Sequence, residues 1–320
     1  MNRERRIEIL LVALIVILGG FLARALYIPT WPERHVEVSA DRLNLDIGEP
    51  SKWFSAWSIG DGQAYAVIAV DPSGAKLGEE VKEPAYRFSR AGYSWLAATI
   101  TLGNDEWVPY GLAAIGLLSL VGILIVAISM RERLGPKVWF LVLNPAIYLG
   151  FAGDTSEPLG ALMLALALGS GSVLAAVALG VTRPSYLVGL FSRWRLLGVG
   201  IVATALLAGY SLWRFGTEEL IPDAGRVDLP FVAYIENSSV AGWLLLGLAV
   251  ATFVVGVRRR DWAWVLTGVL VLSLGPDVTA DPINAWRAAG MLPVLWAFGP
   301  GYEPKPSLEV DHEPVTASVV

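Results

Sequence analysis

MNRERRIEILLVALIVILGGFLARALYIP (1–29) sets a basic flank, Arg3, Arg5 and Arg6, ahead of an apolar run from Ile7 to about Tyr27. Crossing a hydrocarbon core takes about 20 apolar residues, so the run reads as a spanning helix. A secretory leader has a shorter apolar region and a small-residue cleavage site, which Ala23-Arg24-Ala25 interrupts. The expectation is a retained first helix with a cytoplasmic N-terminus. The remainder of the chain follows suit: 320 residues, 55% hydrophobic and 17% charged, with mean hydropathy +0.56. That is too apolar for an ordinary soluble domain, and the fold expected is an all-α polytopic membrane protein.

Several chemistries drop out at once. Cysteine is absent, which removes disulfides, thiolate metal sites and cysteine nucleophiles. The two histidines, His35 and His312, stand far apart in no ligand-spaced motif, so no metal site is assigned. A net charge of −5 without a basic stripe argues against nucleic acid.

Apolar segments recur at about 109–130, 138–151, 158–191 (broken), 196–214, 239–257, 262–275 and 284–299. With the first helix they suggest about eight to nine spanning or half-spanning helices. The division is a first helix (1–28), a long polar loop (29–107), a helical bundle (108–300) and a Pro- and acid-rich disordered tail (301–320). Basic clusters at Arg131/Arg133/Lys137, Arg193/Arg195 and Arg258/Arg259/Arg260 fit the cytoplasmic side. The long loop and residues 153–158, 217–230 and 275–282 then lie outside. Between Glu157 and Arg193 the chain must cross an odd number of times, although 158–169 and 172–191 look like two segments hinged at Gly169-Ser170-Gly171. A half-spanning break near Thr182-Arg183-Pro184 resolves the parity, and broken backbone at that depth belongs beside a buried or aqueous cavity. Inside the long loop, interfacial helices are expected over roughly 58–70 and 84–101.

Each outer link holds an acid: Asp61 and Asp71, Asp154 and Glu157, Asp277 and Asp281. Converging carboxylates can act as a base, position a hydroxyl or hold a divalent cation; singly, loop acids are commonly just solvated. Asp61 differs because the glycines of GDGQAY (60–65) permit close approach of a ligand, with Gln63 and Tyr65 as supporting groups. In PAYRFSRAGYSWLAATITLG (84–103), Tyr86 stands beside Arg87 and Arg90, three apart and on one face if helical. Those guanidiniums suit either a phosphate or lipid headgroups. Arg183 lies in an apolar stretch, where a charge costs about 2.5 to 3.5 kcal/mol, and needs an anionic ligand or a carboxylate as partner. Arg287 either completes a phosphate site or snorkels. Asn237-Ser238-Ser239 matches a glycosylation sequon, and most tryptophans fall near helix ends as interfacial anchors do.

GDGQAYAVIAVDP followed by AYRFSRAGYSWLA, then NPAIYLGFAGDTSEPLGALMLALAL (144–168) and LGVTRPSYLVGL (179–190), resembles in order the GT-C superfamily of membrane glycosyltransferases. The resemblance is to bacterial mannosyltransferase-like members that use polyprenyl-phosphate sugars, and it covers roughly residues 7–195. It implies Asp61 as the catalytic acid residue that deprotonates the acceptor, Arg87 and Arg90 at the lipid-linked phosphate, and Glu157 and Arg183 lining the cavity. Ser94 stands where the related pattern usually has proline.

The function expected is therefore inverting sugar transfer from a polyprenyl-phosphate donor to a glycan, lipid or protein acceptor on the outer face of a bacterial cytoplasmic membrane. Arg183 joins Arg87 and Arg90 on the donor phosphate; Gln63, Tyr65, Asp71, Tyr86, Asp154, Glu157 and Arg287 support the cavity. A divalent cation is left open. The absence of a Gly-rich nucleotide loop agrees with a lipid donor. The alternative is a non-catalytic carrier or envelope-assembly scaffold on the same fold.

Overall fold

A computed structural model describes residues 3–30, 61–75, 84–216, 231–236, 239–279 and 281–303. The helices are α1 (Arg3–Thr30), α2 (Asp61–Val70), α3 (Pro84–Phe88), α4 (Gly92–Ile100), α5 (Val108–Leu134), α6 (Trp139–Val142), α7 (Pro145–Ala152), α8 (Glu157–Ser170) and α9 (Val173–Thr182). A 3-10 segment, Pro184–Leu190, leads to α10 (Trp194–Phe215), α11 (Val232–Glu236), α12 (Val240–Arg259), α13 (Trp262–Leu272), α14 (Pro276–Thr279), α15 (Pro282–Ala288) and α16 (Met291–Phe298). The fold is all-α among the described residues.

Four helical stretches are long and apolar enough to cross a membrane: Ile9–Leu26, Asp105–Val142, Trp194–Phe215 and Val240–Arg259. Their outer faces are apolar too. Leu10, Leu14, Leu18 and Leu22 of α1 stand exposed, as do Leu206 and Trp213 of α10 and Leu244 of α12. An exterior of this kind is stable against lipid, where it costs nothing, and not against water. Three further apolar helices, α8, α9 and α13, are shorter.

Between Glu157 and Arg193 the backbone makes three short legs. α8 runs away from Glu157 and ends at Gly171 in the left-handed conformation (φ 70°); Ser172 then caps α9 by accepting from the Ala175 amide at 3.2 Å. α9 returns, so that a Cβ on Gly160 in the first turns of α8 would sit 2.9 Å from Arg183 Cβ. Pro184 disfavours helical backbone at Arg183, whose φ and ψ are −145° and 70°, and the 3-10 segment heads away a second time. Gly189 reaches Leu164 of α8, and Arg193 ends up at the far end of the bundle from Glu157.

The long-loop helices differ from two surface-lying ones. Tyr65, Ala66, Val67, Ile68 and Ala69 are all buried, so α2 packs on both sides, and residues 58–60 lie outside the described set. The expected helix over 84–101 breaks into α3 and α4. Ser89 Oγ donates to the Tyr86 carbonyl at 2.7 Å, turning the chain so that Gly92 can approach the Val181 carbonyl, 2.9 Å from where a Cβ would stand. Arg87 and Arg90 therefore do not share a continuous helix face: Arg87 is in α3 and Arg90 in the turn.

Candidate functional site

The α7–α8 turn, Gly153-Asp154-Thr155-Ser156-Glu157, is buried throughout, and four other segments close on it. Pro158 favours the helical start of α8, placing Glu157 in its first turn, where the helix dipole favours a carboxylate. Arg183 Nη2 lies 3.1 Å from Glu157 Oε1, Arg287 Nη2 lies 3.0 Å from the same oxygen, and Arg287 Nε donates to it at 3.1 Å. Thr155 Oγ1 meets the other oxygen, Oε2. Two guanidiniums thus share one carboxylate that is 0% exposed. Arg183, itself 8% exposed, has found the carboxylate partner its apolar setting demanded, and its Nε is buried without a hydrogen-bond partner among the described residues.

Beside this trio, Arg24 Nη1 and Nη2 grip Asp154 Oδ1 and Oδ2 at 2.6 and 2.9 Å, and Nη1 also donates to the Phe151 carbonyl at 2.9 Å. Asp154 adopts the left-handed backbone (φ 51°), which aspartate tolerates better than most residues. Burial pushes its carboxyl above the ordinary carboxylate value, while the Arg24 guanidinium pulls it down.

Tyrosines frame the cluster. Tyr65 of α2 shares a hydrogen bond with Ser156 Oγ at 2.9 Å, and its ring meets Tyr93 edge-on at 5.2 Å. Tyr186 donates to the Arg287 carbonyl at 3.2 Å. Asn144 holds the opposite wall by donating to the Gly290 carbonyl at 2.8 Å, and Arg287 Nη1 rests on Asn284 Oδ1 at 3.2 Å.

The sequence-derived residues divide clearly. Tyr65, Asp154, Glu157, Arg183 and Arg287 meet within this cluster. Gln63 is buried in α2. Asp71 accepts from Ser73 Oγ at 2.7 Å in the turn that ends α2. Arg90 stacks over the Tyr86 ring, 4.1 Å from its centroid, with its Nε buried and unpartnered among the described residues. The turn bearing Arg90 packs, through Gly92, on Val181 and Thr182 immediately before Arg183. Arg87 sits half-buried in α3. Asp61 opens α2, one helical turn ahead of Tyr65; its side chain, that of Asp277, and His35, Asn237 and His312 lie outside the described set. Asp281 caps α15 by accepting from the Ile283 amide at 2.9 Å, a structural role. Among the described residues no cluster of three acids or histidines could hold a metal.

Sequence reasoning missed Arg24, which reads merely as a residue that spoils a leader cleavage site. The penalty that singled out Arg183 applies equally to an arginine near the end of α1, and would have flagged it.

Together the bundle and its buried ionic end define an all-α protein with helices of membrane-crossing length. Compared with family models, with curated proteins and with solved structures, the chain matches none.

Proposed function

We propose that the protein is a membrane glycosyltransferase moving a sugar, with inversion, from a polyprenyl-phosphate donor to an acceptor hydroxyl on the extracytoplasmic face. The observation that supports this best is the pairing of two unmet donors. Arg90 and Arg183 each keep a buried Nε without a partner among the described residues, on segments that pack together at the Glu157 end. Buried guanidinium donors call for an acceptor, and a phosphate oxygen is a strong one.

In the proposed step Asp61 accepts the acceptor's hydroxyl proton as that oxygen bonds to the anomeric carbon. The bond from that carbon to the phosphate oxygen breaks, and its electron pair leaves with the polyprenyl phosphate. Arg90 and Arg183, with Arg87 beside them, stabilise the charge that develops on the leaving group. Glu157 holds Arg183 and Arg287 in place. The accompanying topology has eight to nine spanning or half-spanning segments, the Glu157 end outside and the Arg193 end cytoplasmic.

The test is sugar transfer by full-length protein in liposomes supplied with labelled polyprenyl-phosphate sugars. Transfer that disappears in a folded Asp61→Asn variant is expected; transfer undiminished by that change removes Asp61 from the chemistry. A carrier reading draws on the short legs that end at Arg183, since transporters build sites from half-helices. It predicts labelled donor crossing the bilayer with its sugar–phosphate bond intact.

A further inference from the structure

At the opposite end of the bundle lies a cavity of about 320 Å³ that the transferase reading leaves unused. Its floor is apolar, with Leu168, Trp264, Leu295 and Phe298; its mouth is polar, with Arg193 and Glu303. Asp261 builds the mouth by joining three segments. Its Oδ1 accepts from Ser192 Oγ at 2.5 Å and from the Ala263 amide at 3.0 Å, and its Oδ2 accepts from the Gly301 amide at 2.8 Å. The Asp261 charge is thereby satisfied locally. Arg193 is not: Nη2 donates to the Tyr302 carbonyl, but no carboxylate of the described residues lies within ion-pair distance. The Tyr302 hydroxyl, in the same wall, is buried without a partner among the described residues. Exposed Lys137 stands near the rim, 3.3 Å from where a Cβ on Gly299 would be.

Two neighbours fix the depth of this mouth. Trp194 follows Arg193 and Trp262 follows Asp261, and both rings are exposed, at 72% and 61%. Exposed tryptophans adjoining charged residues at the ends of apolar helices mark the level of lipid headgroups. The exposed run Arg258, Arg259 and Arg260 adds positive charge, and such clusters attract anionic lipid. The ligand that suits the site therefore carries a phosphate ester on an apolar body.

We propose that this pocket binds a phospholipid of the adjacent leaflet, its phosphate on Arg193 and the start of an acyl chain over Trp264 and Phe298. The site stands apart from the Glu157 cluster and does not depend on the transferase reading.

The experiment titrates detergent-solubilised full-length protein with short-chain phosphatidylglycerol and, separately, with inorganic phosphate, following the thermal midpoint. Phosphatidylglycerol is expected to raise the midpoint saturably, Arg193→Gln to weaken it by about tenfold, and Arg195→Gln, on the neighbouring surface, to leave it unchanged. Glu303→Lys alters an exposed rim residue without disturbing packing and is expected to tighten binding several-fold. It decides the matter should Arg193→Gln not fold. No saturable response, an equal response to inorganic phosphate, or indifference to Glu303→Lys would each overturn the proposal.

Discussion

Glu157 holds two buried cations, so its loss leaves both without their carboxylate. Removing one partner of a buried pair costs about 3–5 kcal/mol, and Glu157→Gln is expected to lower the thermal midpoint of the purified protein accordingly. Arg24→Leu should cost a similar amount because it strands Asp154, which is 1% exposed. The double variant Arg24→Leu/Asp154→Asn should recover much of that loss, since no uncompensated charge remains. Double-variant stability no better than Arg24→Leu alone would show that the two side chains act separately. Reading single residues in sequence went furthest where the physics was harshest. For Arg183, charge in apolar surroundings demands a partner, which Glu157 supplies; Arg287, expected to complete a phosphate site or snorkel, is buried on the same carboxylate. Asp261 leaves no such mark: an aspartate after three arginines looks like any solvated loop acid or helix cap, and beyond the local bond from Ala263 its other two bonds come from Ser192 and Gly301, remote in sequence.

At the scale of elements, close backbone approach decides the packing of α9 on α10. Gly180 lies against the Gly200 carbonyl, and Thr204 Oγ1 donates to the Gly180 carbonyl at 2.8 Å. Gly180→Ala drives a methyl into that carbonyl and is expected to cost about 1–3 kcal/mol. Gly198 of α10 has nothing within 4 Å of a Cβ, so Gly198→Ala should be neutral or stabilising by up to about 1 kcal/mol. Equal melting shifts for the two would refute the contact. Such glycine seams are invisible to hydropathy, whereas the two breaks that divide the segment between Glu157 and Arg193, at Gly169-Ser170-Gly171 and at Thr182-Arg183-Pro184, are legible in the sequence and fall there in the fold. Hydropathy alone reports only an unbroken apolar stretch over 158–191; glycine and proline mark where it turns. The split between α3 and α4 was hidden likewise, because a tertiary contact at Gly92 overrides a locally plausible helix.

Across the whole molecule, the exposed leucines of α1, α10 and α12 require lipid. The protein is expected to stay with the membrane pellet after alkaline carbonate washing and to leave it only in detergent; release by carbonate would contradict the membrane assignment. The proposed orientation predicts that a reporter fused within 217–230 is accessible from outside and one placed after Arg260 is not. The three-leg segment also bears on how the chain is assembled. Its helical legs α8 and α9 hold 14 and 10 residues, each too short to be recognised singly as a span of about 20. Under the proposed topology their longer neighbours carry them into the bilayer during synthesis. Arg183 is made soon after Glu157, whereas Arg287 emerges roughly a hundred residues later, after α10, α12 and α13. The ionic cluster is therefore completed only once α15 has been made, and a nascent chain stalled before residue 287 holds Glu157 with one of its two guanidiniums.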